Sequence, residues 1–421
     1  MSARNRGWTV RLSEATPAGR DRFIDGLRAV AMLGVVAGHW LVTGLAVTDQ
    51  GAFYQLSPLQ EMPGLAPASW LLQTLGLFFF VSGFAATRGL MAATRRGQGR
   101  GRWFAGRLAR LARPVAVFVV AWGLALVVLA LSGVPQWTRH TVGKLAFSPL
   151  WFLLVLVVLL ALTPLLRSAC RRAGAWTVAV PVAVVAGVDG LRFGVWPGLP
   201  GSIAMVNVLA GWLVPYLIGV LVALSGSPGR RVAAGMLCAG LAVCGVLILG
   251  AGYPASMVGV PGSGRSNLDP PSLLTVGHTL TQIGLAMLLR PLAERLLRRP
   301  ACWAAVVVLN LSAMTVFVWH QTALMVVAAA GRVLAGAPPG LLDVPRDAAW
   351  IAHRFGWFPA FLLVLLLLCG LFRGVERPTR QRRAATSSEL TVTGPDSTDA
   401  LAPKGATIYA GLPGDAHRTP R

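Results

Sequence analysis

Long apolar runs recur along the chain and are separated by short polar or basic segments. A membrane-spanning helix needs about 20 mostly apolar residues. Runs of roughly this length occupy ten places in the sequence: 27–47, 70–90, 114–133, 149–166, 176–190, 206–225, 232–252, 273–290, 303–330 and 355–373. The pattern therefore predicts an all-α, polytopic integral membrane helical bundle of about ten transmembrane helices.

Polar segments flank this apolar part at both ends. Residues 1–24 form a basic segment that is too long and too polar for a cleaved signal peptide. Residues 25–373 contain all ten apolar runs and are predicted to form one transmembrane domain. Residues 374–421 are rich in Arg, Thr, Ser, Pro and Asp with little periodicity, which predicts a disordered tail.

The composition supports a membrane protein and sets its orientation. Hydrophobic residues make up 55% of the chain and charged residues only 13%, against about 25% charged residues in soluble domains. With the N-terminus inside, 31 of the 38 basic residues fall in inner segments and 7, Arg354 among them, in outer loops. The positive-inside rule then predicts a multi-pass plasma-membrane protein with both termini cytoplasmic.

The excess of basic residues has a membrane explanation. The formal net charge is +23, which alone would be compatible with nucleic-acid binding. Because the basic residues collect on one predicted side, we interpret them as orientation signals and as contacts to lipid headgroups. We expect membrane lipid as a partner and no nucleic acid. The five cysteines show no spacing typical of a zinc site, so neither a metal nor a disulfide framework is predicted.

The first apolar run contains ionisable residues where they are costly and therefore functional candidates. Arg28 and His39 are eleven positions apart, which is three helical turns plus about 20°, so both lie on one face. The rise of about 16 Å places Arg28 at the inner headgroups and His39 near the middle of the bilayer. Asp25 lies one turn before Arg28 and can pair with it.

His39 suits general-base chemistry on a hydroxyl, because the pKa of imidazole lies near the operating pH. The alternative is an interhelical hydrogen bond without chemistry. The aligned Asp25 and Arg28 favour the first interpretation.

The second apolar run ends at Ser82-Gly83. Small residues at this point allow two helices to approach closely. Ser82 as a nucleophile is the other interpretation, although no GxSxG elbow surrounds it.

Three arginines, Arg107, Arg110 and Arg113, follow at a spacing of three, which places them on one helical face at the inner surface. They serve either as positive-inside anchors or as a clamp for a phosphorylated cytoplasmic donor, since Arg binds phosphate bidentately.

Two further imidazoles lie in later runs. His278 and Gln282 are one turn apart and are predicted to line an acceptor pocket together with Ser82 and His320. For both histidines, a simple hydrogen bond between helices is the alternative.

Several of these motifs together resemble the membrane acyltransferase 3 family. The segment from Asp25 to Arg28 with His39 resembles that family's first-helix Arg-x10-His motif, and 79–84 resembles its second-helix signature. Other elements also fit: Arg113-Pro114, Leu150-Trp151-Phe152-Leu153 and Val318-Trp319-His320. The resemblance covers about residues 22–373.

The resemblance implies transfer of an acyl group from acyl-CoA, or a related donor, to a hydroxyl of a sugar, glycolipid, polymer or macrolide-type natural product. It implies His39 as the essential catalytic residue with Arg28 as its motif partner, and donor recognition by basic residues, which we assign to Arg107, Arg110 and Arg113. Acyl-CoA is then a co-substrate, and no bound cofactor is expected. We also expect no fused esterase-like domain after residue 373.

The expected reaction has His39 removing the proton from an acceptor hydroxyl, with Arg28 and Asp25 fixing the geometry. A variant in which His39 is transiently acylated stays open. The alternative functions are a transporter or exporter of a small molecule, or a non-catalytic membrane partner. The sequence shows no internal repeat of the kind found in many transporters.

Overall fold

The computed structural model describes residues 3–17, 19–195, 201–262 and 264–376. The predicted tail, 374–421, lies almost entirely outside the described residues. Helices dominate the described part, in chain order α1 (Ala3–Glu14), α2 (Arg22–Val42), α3 (Pro58–Glu61), α4 (Ala66–Leu72), α5 (Leu75–Arg95), α6 (Arg100–Leu131), α7 (Gln136–Phe147), α8 (Trp151–Ala173), α9 (Trp176–Gly190), α10 (Gly201–Ala204), α11 (Val206–Ser225), α12 (Arg230–Ala251), α13 (Leu273–Leu297), α14 (Pro300–Leu311), α15 (Ala313–Ala335) and α16 (Ala348–Glu376).

The all-α, polytopic membrane architecture predicted from the sequence is confirmed. Within the described ranges, nine helical stretches are long and apolar enough to cross a membrane: Arg22–Val42, Pro63–Arg95, Arg100–Leu131, Gln136–Ala173, Trp176–Gly194, Gly201–Ser225, Arg230–Ala251, Ala313–Ala335 and Ala348–Phe372. Helix α13 corresponds to the predicted run 273–290. Its 25 residues span about 37 Å, but His278, Gln282 and Arg290 make it less apolar than the nine.

Three predicted boundaries are wrong. The first run ends at Val42 rather than at 47, because residues Gly44–Val47 (β1) pair antiparallel with Phe53–Leu56 (β2) in a short hairpin. The ninth run is two helices, α14 and α15, that meet at Ser312. The last run begins at Ala348 instead of 355, so the predicted outer-loop residue Arg354 lies inside a helix.

Helices α5 and α11 cross at the small residues that the sequence singled out. A Cβ atom at Gly83 would overlap the carbonyl oxygen of Tyr216, and a Cβ at Gly219 would overlap that of Phe80. The close helix approach expected from Ser82-Gly83 is therefore confirmed for the glycine. The Tyr216 hydroxyl also hydrogen-bonds the Thr163 hydroxyl at 2.7 Å, which joins α8 to the same crossing.

Helix α2 is fixed at its middle and near its end by neighbouring side chains. Thr74, at the break between α4 and α5, donates a hydrogen bond from its hydroxyl to the Ala31 carbonyl at 2.7 Å. Gly34 makes room for this contact, because a Cβ there would overlap the Thr74 side chain. Trp40 donates from its indole nitrogen to the His320 carbonyl at 2.9 Å, which ties α2 to α15.

We predict that Gly83→Ala destabilises the bundle by about 1–3 kcal/mol, because the added methyl group forces α5 and α11 apart. The matched control is Gly123→Ala on α6, where a Cβ meets no atom within 4 Å and alanine is the better helix former. The measurement is the midpoint of thermal unfolding of the detergent-solubilised protein. Equal midpoints for the two variants would contradict the crossing described above.

Candidate active site

Two cavities lie along α2, one near its start and one near its end. The first, which we call the arginine chamber, has a volume of about 1060 Å³. The second, which we call the apolar cavity, has a volume of about 400 Å³ and is lined in part by Val35, His39 and Thr43. Arg28 lines the chamber and His39 lines the apolar cavity, so one helix presents a residue to each.

The arginine chamber has an excess of positive charge. Its charged lining residues are six arginines, Arg20, Arg22, Arg28, Arg88, Arg290 and Arg298, and three carboxylates, Asp21, Asp25 and Glu294. Such a surface attracts anions, and several guanidinium groups together suit phosphate oxygens.

Asp25 is buried and organises the start of α2. Its carboxylate pairs with Arg20 and, as the sequence predicted, with Arg28, whose Nη1 lies 3.8 Å from Oδ1. The Asp25 backbone carbonyl accepts a hydrogen bond from the Asn310 amide at 2.9 Å. Arg28 is thus held at the chamber wall by an acid on its own helix.

The other chamber arginines differ in how far they are neutralised. Arg290 pairs with Asp21 at 3.1 Å and with Glu294 at 2.7 Å. Arg88 and Arg298 are exposed and have no carboxylate partner among the described residues. These two cations can bind an anionic ligand without breaking an existing ion pair.

The three arginines predicted to clamp the donor differ in burial and in the groups that they contact. Arg107 is partly buried and donates to the carbonyl of Ala85, a residue of the chamber wall, at 3.3 Å. Arg110 and Arg113 are exposed, and Arg110 donates to the Gly106 carbonyl on its own helix. None of the three lines the chamber.

His39 belongs to a compact cluster of side chains from α2 and α15. Its ring centroid lies 5.0 Å from that of His320. The Gln321 amide nitrogen lies 3.3 Å from His39 Nδ1 and 3.3 Å from the Thr43 hydroxyl. Among the three residues predicted for an acceptor pocket, His320 alone lies beside His39.

The hydrogen bonds define how His320 is protonated. Its Nδ1 lies 2.6 Å from the Phe317 carbonyl oxygen, which only accepts, so Nδ1 carries the hydrogen. In the neutral ring Nε2 is then a lone pair. This Nε2 is buried and has no hydrogen-bond partner within the described residues. The cluster therefore contains an unprotonated nitrogen close to His39.

Gln321, to which the sequence analysis assigned no role, sits where it can select the basic nitrogen of His39. With the amide nitrogen toward Nδ1, the hydrogen of neutral His39 is on Nε2. A half-turn of the amide presents Oε1 to an Nδ1–H group and leaves Nε2 as the lone pair. That oxygen is buried and has no partner in the described part of the chain.

Arg354 is a second residue that the sequence analysis missed. It is completely buried on α16 and donates to the Thr43 carbonyl at the end of α2. Its guanidinium lies 4.6 Å from the Trp350 ring centroid. A cation at a helix C-terminus satisfies free carbonyl groups and complements the helix dipole. Arg354 therefore fixes the end of the helix that carries His39.

Ser82 and His278 lie elsewhere. Neither lines the chamber or the apolar cavity. His278 Nε2 lies 2.8 Å from the Trp70 carbonyl and Gln282 donates to the Gln73 carbonyl at 3.0 Å. These carbonyl groups belong to the break between α4 and α5, where a helix end leaves them unpaired. His278 therefore stabilises the break between α4 and α5 and lines neither cavity.

The sequence of this chain has a clear family assignment. A family model described as an acyltransferase domain matches residues 21–374, which include the apolar cavity, the His39 cluster and most of the residues that line the arginine chamber. The chain belongs to the acyltransferase 3 family. Neither a curated protein nor a solved structure matches it significantly. The protein is accordingly a membrane acyltransferase.

We predict that Gln321→Leu in this acyltransferase alters the nitrogen chemical shifts of His39 and leaves those of His278 unchanged, because only His39 loses a hydrogen-bond partner at Nδ1. The measurement is ¹⁵N NMR of protein labelled at its six histidines, with the His39 signals assigned by their loss in His39→Ala. Unchanged His39 signals would show that the amide does not control this ring.

Proposed function

We propose that this acyltransferase moves an acyl group from acyl-CoA to a hydroxyl of a sugar, glycolipid or natural-product acceptor, with His39 as the catalytic base. The observation that supports it is the arrangement along α2. A chamber with six arginines lies at one end of the helix and an imidazole facing an uncharged cavity lies towards the other. Such an arrangement suits a donor with a phosphate-bearing head and a reactive group at the end of a long arm.

The donor binds with its phosphate groups in the arginine chamber. Arg88 and Arg298 supply positive charge that no carboxylate neutralises, and Arg28 lies deeper on α2. The pantetheine arm follows α2 from Arg28 to His39, a rise of about 16 Å. Arg107 reaches the same wall at Ala85, so it is the member of the sequence-predicted clamp that we retain near the donor.

The transfer step forms an ester bond and breaks the thioester bond of the donor. His39 accepts the proton of the acceptor hydroxyl while the hydroxyl oxygen attacks the thioester carbonyl carbon. The tetrahedral intermediate collapses, the C–S bond breaks, and the proton passes to the leaving thiolate. The products are an ester and free CoA thiol. A base in this role contributes about 10²–10⁴-fold to the rate, and positioning of both substrates contributes much of the rest.

A covalent variant uses the same residues. The unprotonated nitrogen of His39 attacks the thioester carbonyl carbon, the C–S bond breaks, and the other ring nitrogen gives its proton to the departing thiolate, which leaves a neutral acyl-imidazole. The acyl group then passes to the acceptor hydroxyl. His320, whose Nε2 has no partner within the described residues, takes the hydroxyl proton in this second step, and the proton returns to the departing His39 ring. Trapping an acyl-imidazole in the absence of acceptor distinguishes this route from direct transfer.

We place the chamber on the cytoplasmic side of the plasma membrane, where acyl-CoA is found. The positive-inside distribution supports this orientation, since the chamber and the basic ends of α5 and α13 lie at the predicted inner surface.

We predict that His39→Ala lowers kcat/KM for acyl transfer by about 10²–10⁴-fold, the contribution of a general base. Acyl transfer and CoA thiol release are measured together with labelled acetyl-CoA and a panel of hydroxyl acceptors. The control is His140→Ala, an exposed histidine on α7, with both variants checked for monodispersity in detergent. Full activity of a folded His39→Ala protein would overturn the mechanism, and a wild type that never releases CoA would favour a transporter.

We predict that Arg88→Gln combined with Arg298→Gln raises the KM for acyl-CoA by about tenfold, because each substitution removes a charge-assisted hydrogen bond to phosphate. The control pair is Arg332→Gln with Arg346→Gln, exposed residues of the opposite predicted side. Arg110→Gln with Arg113→Gln tests the clamp predicted from sequence. An increase in KM confined to that pair would contradict the chamber as the donor site.

A further inference from the structure

The apolar cavity differs chemically from the arginine chamber. None of the described residues that line it is Asp, Glu, Lys or Arg. Its walls include the aromatic side chains Trp151, Phe152, Phe317 and Phe355. Burying a formal charge without a partner is strongly unfavourable, so the cavity selects against phosphorylated or carboxylated ligands.

Most polar groups of the lining are already occupied by the protein. The Ser69 hydroxyl donates to the Ala66 carbonyl and accepts from the Met257 amide at 2.8 Å. Gln73 Oε1 accepts from the Leu75 amide at 3.0 Å. Few groups are therefore left to recognise a ligand with many hydroxyls, and apolar contact dominates.

One of the polar groups that are left lies next to His39. Gln321 lines the cavity, and its Oε1 is buried with no partner among the described residues. His39 lies beside it at the same wall. One hydroxyl of an otherwise apolar ligand can be received at this point, which is where the chemistry requires it.

The cavity is open at a rim that differs from the donor side. Trp151 and Phe355 lie at this rim with 42% and 52% of their surfaces exposed. Other lining residues, Gln55 and Val258, belong to the β-hairpin and to the segment before α13. A molecule entering here reaches His39 without passing the arginine chamber. Exposed aromatic side chains of this kind favour entrance from a membrane interface.

The volume limits the size of the occupant. About 400 Å³ is at the lower end of small-molecule sites, which range over about 300–1,000 Å³. A polymer or an oligosaccharide does not fit inside, whereas a compact apolar group with a terminal hydroxyl does.

Together these observations identify the acceptor class. We infer that the acyl acceptor is an uncharged, largely apolar alcohol that binds in the apolar cavity with its reacting hydroxyl at the wall formed by His39 and Gln321. This inference rests on the proposed acyl transfer for the role of its ligand. The competing occupant is the acyl chain of the donor, which would reach the cavity past His39. We favour the acceptor because the cavity has its own open rim on the far side of His39.

A binding experiment tests the site without relying on catalysis. A diazirine derivative of 1-octanol is photo-crosslinked to the full chain in nanodiscs, and labelled peptides are mapped by mass spectrometry. We expect labels on cavity-lining peptides, with competition by 1-octanol and none by octyl phosphate. Ala68→Trp, which fills the cavity from α4, is expected to reduce this labelling about tenfold. The control is Leu71→Trp on the same helix, at a side chain that is 80% exposed and outside the cavity.

A charge variant keeps the test independent of packing. Gln55 is exposed at the cavity lining, so Gln55→Lys adds a cation without disturbing the core. We expect it to weaken competition by 1-octanol and to create competition by octyl phosphate. Gln136→Lys, at an exposed position on α7, should change neither. Competition by octyl phosphate in the wild type, or labelling that Ala68→Trp leaves intact, would overturn the assignment.

Kinetics distinguish the acceptor from the acyl chain. In the acyl-transfer assay we expect Ala68→Trp to raise the KM for 1-octanol about tenfold with unchanged preference among acyl-CoA chain lengths. A shift in chain-length preference with an unchanged KM for 1-octanol would assign the cavity to the donor and overturn the inference. Specific labelling of a protein that transfers no acyl group would leave the binding site standing and reject the proposed function.

Discussion

Helix α2 is held in register by hydrogen bonds from other elements at successive levels of the membrane. The Thr74 hydroxyl binds the Ala31 carbonyl, the Trp40 indole reaches α15, and the Arg354 guanidinium binds the Thr43 carbonyl. In the core of a bilayer no water is available to form hydrogen bonds with polar groups, so the loss of each such bond costs free energy. The positions of both Arg28 and His39 depend on this set of contacts, because a rotation of α2 would move the two side chains together.

The two ends of α2 provide opposite electrostatic environments. At its start, arginines outnumber carboxylates by six to three around a large chamber. Towards its end, the described lining of the second cavity carries no formal charge. A substrate with phosphate groups is stabilised in the first environment and a neutral substrate in the second. In the proposed reaction, the two reactants are therefore held in environments of different charge before they meet at the imidazole.

The local part of this arrangement was predictable from the sequence, whereas the long-range part was not. Helical periodicity alone places Arg28 and His39 on one face and Asp25 next to Arg28. Gly83 at a close crossing follows from residue size. In contrast, Gln321 gains its importance only from packing of α15 against α2, a contact between residues 282 positions apart. No periodicity in either segment encodes such a pairing.

The errors have equally specific causes. Arg354 was assigned to a loop because its charge marks the end of an apolar run, although helix α16 begins before it. The β-hairpin was missed because β1 continues the apolar run of α2. Arg110 and Arg113 share a spacing with Arg107, but of the three only Arg107 hydrogen-bonds a residue of the chamber wall, and the clamp itself stays a prediction. In each case the sequence pattern describes one element, whereas the position of its residues in the fold also depends on the elements packed against it.

The break between α4 and α5 has a consequence for genetics. His278 and Gln282 bind the carbonyl groups that this break exposes, so their loss damages the bundle without touching the reacting atoms. A mutational survey scored by product alone would group His278 with His39 if, as proposed, His39 acts in the reaction, because either substitution would then lower the amount of product. Measuring the amount of inserted protein as well as the amount of product separates the two residues. It distinguishes intramembrane histidines that stabilise the bundle from those that act in the reaction.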